Sequence, residues 1–364
     1  MTITIEGQPI SRLPDNVHNI YEKFPVLKKD AAKFVSKPVQ VVRNPANVLY
    51  VNQKEYATLH KGDDNINICG SDDATTCHIV VLMNRNESVL CLAHIDSANH
   101  KQSLTSIVNE VLLNDSSKLE LYIIGGYCDE NDVSTVLTLK LLRFFHKLPV
   151  HFELKIMCVG TINTYHRDGV NWPIVYGAAA SFQTDFEISP AKFNLNVRGP
   201  HLALRSARLF CHQEHLYRYS SLSKWNWTEL NWMIVLIKRV YHSKEGVFII
   251  EPFDYRYQHH TSQFLQKSDD YIRNNFSTSP AVEPPHFSQE MKQVFLFVTQ
   301  NPYPMNSIFK CKQPLKFSLS SFGEWQESEW IINCYNIKLT QQLLDLTHSL
   351  FAICNQLRWF YDLL

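Results

Sequence analysis

The sequence predicts an α+β fold organised around a largely buried sheet. Residues 77–83 and 88–94 are two runs rich in β-branched and apolar side chains, separated by Asn84-Arg85-Asn86-Glu87, which reads as a β-hairpin. Both faces of that hairpin are apolar, so something must cover each of them. Strand-like and helix-like segments then alternate around it. With 364 residues, 45% of them hydrophobic and 19% charged, the chain can bury a sizeable core as one large domain or two modest ones.

Along the first half, residues 48–51 and 66–69 read as short strands leading into the hairpin. Residues 103–113 carry helical spacing through Leu104, Ile107, Val108 and Val111. Residues 119–124 form the next strand and end at Gly125-Gly126, which marks a tight strand end or a close backbone approach to a ligand. Ser134 is placed to cap a helix whose apolar face includes Val136, Leu137, Leu139, Leu141, Leu142 and Phe145. Residues 152–159 and 173–180 complete the strands. Past residue 200 the pattern weakens. Trp225, Trp227 and Trp232 precede the apolar run 233–237, which Lys238-Arg239 interrupts too soon for a bilayer span, so 225–250 is expected to be a core element or an insertion. Leu343, Leu344, Leu346, Leu350, Phe351, Ile353 and Leu357 mark an amphipathic helix within 335–364 that packs on its own domain or covers a partner or membrane surface.

Composition narrows the function. Lys+Arg 35 against Asp+Glu 35 gives a formal net charge of zero, and no concentrated basic run is present, which argues against nucleic acid as a partner. The nine cysteines are scattered, odd in number and never spaced as CxxC. The N-terminal residues lack the basic region and long apolar core of a secretory signal. Both features point to a reducing cytosol or nucleus, and the Cys and His spacing gives no finger-like or ribbon-like zinc signature, so no metal is expected.

The hairpin also suggests chemistry. The segment 70–81 carries Cys77 from a polar loop onto an apolar strand. If residues 84–87 form a four-residue loop, Met83 faces Ser88, and the ladder places Cys77 opposite His94 on the same face. Directly opposed Cβ atoms lie roughly 4.5–5.5 Å apart. An imidazole at that reach can take the thiol proton and leave the attacking thiolate, since a free thiol with a pKa of about 8.5 is only slightly ionised at neutral pH. The same register sends His78 to the opposite face, against Ala93, as a structural histidine. A cysteine on an apolar strand is ordinarily a small buried hydrophobe; the facing His94 and the polar lead-in are what argue for catalysis.

Residues 70–81, with Leu49-Tyr50-Val51, Gly125-Gly126, Val175-Tyr176-Gly177, Arg198-Gly199-Pro200, and Ser277-Thr278-Ser279-Pro280 leading to Glu283-Pro284-Pro285-His286-Phe287, resemble the eukaryotic protein N-terminal asparagine amidohydrolases. The likeness covers most of residues 1–330, and the Ser-Asp-Asp-Ala-Thr-Thr-Cys-His block is its most specific part. That family removes ammonia from the side-chain amide of an N-terminal asparagine, an early step of the N-degron pathway. The resemblance implies an α-β-β sandwich similar to the cytotoxic necrotizing factor class of cysteine hydrolases, with a Cys-His pair and a third, serine member. It implies a single amidohydrolase domain over 1–334, with an insertion near 225–250 and an extra helix over 335–364.

Carried over by motif, Cys77 is the nucleophile and His94 the base, with Ser71 nominated as the third member and Ser279 behind it. The Thr75–Cys77 backbone or the Thr76 hydroxyl would stabilise the oxyanion. Recognition of the chain terminus calls for an acidic side chain near the α-ammonium, with Asp72, Asp73 and Glu283 as candidates; each has an ordinary alternative as a loop organiser or solvated residue. No organic cofactor is expected, the partners are peptide or protein N-termini beginning with Asn, and the chain is expected to act as a monomer away from membranes. A binding module that no longer hydrolyses, and a deamidase of internal Gln or Asn, remain open readings.

Overall fold

The computed structural model describes residues 3–98, 101–112, 118–182, 185–211, 237–255 and 261–328. The chain divides into two units, Met1–Glu327 and Ser328–Leu364. The expected helix over 335–364 lies outside the described residues, as do the three tryptophans of the 225–250 block.

The architecture is mixed α and β, as the sequence implies. An eleven-stranded sheet runs, in spatial order, Trp325–Glu327, Leu315–Leu319, Val247–Ile250, Lys238–His242, Glu55–His60, Val89–Ile95, His78–Asn84, Lys118–Ile124, His151–Cys158, Ile3–Ile5 and Gln8–Pro9. The hairpin strands sit near its middle, antiparallel to each other and to both outer neighbours. Residues at the end of the 225–250 block are part of this sheet, with Lys238–His242 parallel to Glu55–His60. A second, five-stranded sheet has the order Gln40–Val42, Glu187–Phe193, Ala178–Ser181, Ile68–Ser71 and Val48–Tyr50. The strand expected over 173–180 is two elements: Val170–Pro173 belongs to a separate hairpin with Thr164–Arg167, and Ala178–Ser181 to the smaller sheet.

The alternation of side chains along the hairpin explains the layering. Val80, Leu82, Cys91 and Ala93 pack in one core with Leu104, Ile107 and Val108 of helix Lys101–Val111 and Leu137, Leu141 and Phe145 of helix Val133–Lys147. Ile79, Val81, Leu90 and Leu92 pack in another with Leu49, Cys69, Ala178 and Ala180 of the smaller sheet. The large sheet is therefore covered by helices on one face and by a sheet on the other, which is why its two hairpin strands are buried at every position.

Two local expectations change. Ser134 does not cap its helix. Asp129 does, accepting the N–H groups of Val133 at 2.9 Å and Ser134 at 2.8 Å, while Asp132 turns the chain with a positive φ of 54°. Val136, expected on the apolar face, points out and is 47% exposed.

The hairpin register also differs. Asn84 pairs with Val89 and Met83 with Leu90, so Ile79, not Cys77, stands opposite His94, and His78 faces Ile95 in place of Ala93. The cause lies in Asn84. Its side chain donates to the Val111 carbonyl at 2.9 Å and accepts the Glu87 N–H at 3.2 Å, holding it in the strand and moving the turn one residue on, where Ser88 adopts φ 51°. The offset in pairing is two residues, an even number, so Cys77 and His94 stay on the same face.

Candidate active site

Cys77 is the last residue of a loop that carries the chain from Ile68–Ser71 in the small sheet to His78–Asn84 in the large one. The loop is pinned from several sides. The Ala74 N–H donates to the Tyr176 carbonyl at 2.9 Å, and Asp73 takes a positive φ of 58°. Behind Cys77, Gly125 approaches so closely that a Cβ there would lie 2.8 Å from the Cys77 carbonyl oxygen; at Gly126 a Cβ would meet the His78 ring at 2.7 Å. The glycine pair makes room for the strand start and its histidine.

In front of Cys77 is a cavity of about 210 Å³ lined by Cys77, His94, Asp72, Asp73, Thr75, Thr76, Asp96 and Glu283, with apolar walls from Phe210, Phe276, Phe287 and Met291. His94 is buried, and its Nδ1 lies 2.7 Å from the Ser71 hydroxyl. Its Nε2 is buried with no hydrogen-bond partner. Burial pushes the imidazole down to about 4, so it is neutral at ordinary pH. The Cys77 thiol is pushed well above its usual range, first by burial and then by the nearby Asp96 and Glu283 carboxylates, against the opposing Lys54 ammonium. The cavity thus holds, at rest, a thiol and a neutral imidazole on its lining. Such a pair needs the base to accept the proton during attack.

His78 shows that an orphaned nitrogen is not enough to define a site. It too is buried and shifted down, to about 3, mainly by burial, and its Nδ1 also lacks a partner. Its Nε2 lies 2.7 Å from the Thr138 hydroxyl in the helix-side core, away from the cavity. Of these two histidines, His94 is the one that lines the cavity together with Cys77.

The acidic candidates separate by their partners. Asp72 accepts the Tyr50 hydroxyl at 2.9 Å and the Phe193 N–H at 2.6 Å and lies 3.1 Å from Arg198 Nη2. Burial and the adjacent Asp73 raise it, while Arg198 opposes them. Asp73 bonds Arg198 Nη1 at 2.7 Å and His286 Nε2 at 2.8 Å; burial alone would raise it, but these partners outweigh burial and hold it low. Glu283 accepts the Ser277 hydroxyl and, at 3.3 Å, that of Ser279, and burial lifts it to about 7. Ser279 also donates to Thr75 Oγ1 at 2.8 Å, so it braces the loop and does not touch His94. The Thr76 hydroxyl lies 2.8 Å from that of Thr278.

Among the described residues, Asp73, His286 and Glu290 hold donor atoms within 4.8 Å of one another, a spacing open to a metal ion. Arg198 already lies among them, 2.7 Å from Asp73, 3.2 Å from Glu290 and 3.4 Å from His286, so a guanidinium fills the cationic position. Sequence reasoning gave Arg198 no role because its acidic and histidine partners are far away in the chain, Glu290 and His286 lying 92 and 88 residues on and Asp72 and Asp73 farther still. It also passed over Asp96, which lies two residues beyond His94 and so on the same side of the strand, a signal the register could have supplied.

Residues 37–327 match a family model described as protein N-terminal asparagine amidohydrolase. The chain is 30% identical over 331 residues to the protein of that name from Sus scrofa and equally to that from Homo sapiens, covering 90% of this chain and 98% of each relative. A relative of the same name from Arabidopsis thaliana is 26% identical over 298 residues, 77% of this chain and 80% of its own.

Proposed function

The chain belongs to the protein N-terminal asparagine amidohydrolase family, and from that premise we propose that it hydrolyses the side-chain amide of an asparagine at a polypeptide N-terminus, yielding aspartate and ammonia. The observation that carries the mechanism is the grouping of Cys77 and a buried, unpartnered His94 Nε2 on one cavity, with Ser71 fixing the other ring nitrogen. With Nδ1–H donating to Ser71, Nε2 presents its lone pair. It takes the thiol proton as sulfur attacks the amide carbon, then passes that proton to the departing ammonia. The resulting thioester is opened by water activated at the same nitrogen, which returns aspartate and the free thiol. Thr76 and the backbone N–H groups at the end of the loop are the proposed donors to the oxyanion.

The helix, large sheet and small sheet layers support a likeness to the cytotoxic necrotizing factor class. In this reading the product aspartate feeds the N-degron pathway. Among the described residues, Cys69, Cys77, Cys91, Cys128 and Cys158 are free thiols, in keeping with action in the reducing cytosol or nucleus. No described helix is long and apolar enough to cross a membrane.

The test uses Asn-, Gln- and acetyl-Asn-peptides incubated with wild type and Cys77→Ala and read by mass spectrometry. Conversion of the free Asn peptide alone, by wild type alone, is expected. Conversion by Cys77→Ala would remove the nucleophile, and equal conversion of the acetylated peptide would remove the terminal specificity.

A further inference from the structure

Selectivity for a chain terminus requires a group that recognises the α-ammonium, and five carboxylates line the cavity: Asp72, Asp73, Asp96, Glu283 and Glu290. Four are already engaged. Asp72, Asp73 and Glu290 surround Arg198, and Glu283 is bonded to two serine hydroxyls and raised to about 7 by burial, so a large part of it is protonated near neutrality.

Asp96 differs. Extending the hairpin ladder one pair beyond His78 and Ile95 places it opposite Cys77. Its Oδ2 is held by Gln53 Nε2 at 2.9 Å and Lys54 Nζ at 3.3 Å. Its Oδ1 is buried with no hydrogen-bond partner. Burial would raise this carboxyl, but Lys54 and Gln53 outweigh it and keep Asp96 ionised. A buried carboxylate with one oxygen clamped and the other bare is incomplete, and leaving it so costs free energy that an incoming cationic donor recovers.

We propose that Asp96 Oδ1 receives the α-ammonium of the terminal asparagine, and that this ion pair sets the side-chain carbonyl over the Cys77 sulfur. The assignment rests on the deamidation reading above. Covalent geometry suits it. In asparagine the α-nitrogen lies at most about 3.8 Å from the amide carbon, since only Cα and Cβ intervene. Opposed positions across an antiparallel pair put Cβ atoms roughly 4.5–5.5 Å apart. One small residue therefore bridges the two side chains, its amide at sulfur and its ammonium at Asp96. An internal asparagine has a neutral, substituted amide nitrogen in that position and would leave Oδ1 bare.

The test compares kcat/KM for ammonia release from an Asn peptide and from its deamino twin, in which a succinamoyl cap keeps the side-chain amide and replaces the α-ammonium by hydrogen. Wild type, Asp96→Asn and Asp96→Glu are assayed on both, and thermal melting checks folding. Wild type is expected to favour the free amine on the order of 100-fold. Asp96→Asn should lose most of that preference through KM, with a loss of only a few-fold on the deamino peptide. Asp96→Glu, which keeps the charge but displaces it, should retain part of the preference and carries the same comparison if the asparagine variant does not fold. Equal losses on both peptides, or a wild type indifferent to the amine, would overturn the assignment. A wild type that releases ammonia from neither peptide removes the deamidation reading and this assignment with it.

Discussion

The two sides of the cavity are built on opposite plans. On the Arg198 side, Asp72, Asp73, Glu290, His286 and Tyr50 are joined in a network with its carboxylates matched by donors. On the Cys77 side, Cys77, His94 and Asp96 all line the cavity, and the His94 Nε2 and the Asp96 Oδ1 have no hydrogen-bond partner. Both sides are polar and largely buried. A saturated network fixes a loop and has little left to offer a ligand, whereas bare atoms held by clamped neighbours are ready to act on one. The contrast predicts that substitutions on the first side lower stability and those on the second lower turnover.

The strongest test is Cys77→Ala, which should reduce ammonia release by about 10⁴-fold or more while leaving the melting temperature near that of wild type. A large loss of stability instead would assign Cys77 to the core. His94→Asn should follow at roughly 10³-fold in kcat, again with folding retained. Arg198→Met probes the other side. It strands Asp72 and Asp73 without their shared cation and is expected to cost about 3–5 kcal/mol in denaturant unfolding. If it lowered turnover without changing stability, the division between the two sides would fail.

The histidines supply a pH test. Above pH 6.5 neither the folded nor the unfolded chain protonates His94. As pH falls from 6.5 toward 4 the unfolded chain takes up a proton that the folded one refuses, so stability drops through that window, by roughly 3 kcal/mol for this group. His78 adds a drop of the same sign that continues toward 3. Melting followed from pH 7.5 to 4.5 should show the decline, and His94→Asn should flatten part of it. The acid limb of kcat/KM should fall well below pH 6.5. Smallest of the set, Ser71→Ala removes only the hydroxyl on His94 Nδ1 and should lower kcat about 10-fold to 100-fold with little change in KM.

These residues also show what sequence alone can disclose. The shared face of Cys77 and His94 was legible because alternation along a strand has a period of two, and the observed offset in pairing is even. The offset itself was not, because it depends on Asn84 reaching the Val111 carbonyl of a helix that follows the hairpin. The alternation of elements and the buried hairpin foretold an α+β fold with both faces of the sheet covered. Asp129 took the capping role expected of Ser134 because its carboxylate reaches two N–H groups at once. Ser71 came from the family resemblance, and its contact with His94 joins different sheets. Arg198 was hidden for the same reason, since long-range ion pairs leave no local pattern.

Cys77, the proposed nucleophile, sits where the backbone leaves one sheet and enters the other, with Ser71 on the near side of that crossing and His94 on the far side. Catalytic alignment is therefore a readout of how the two sheets are seated. A slide of a fraction of an ångström between them would part the serine from the imidazole before any strand came undone. Mild denaturant should accordingly silence the enzyme while its circular dichroism still reports an intact protein.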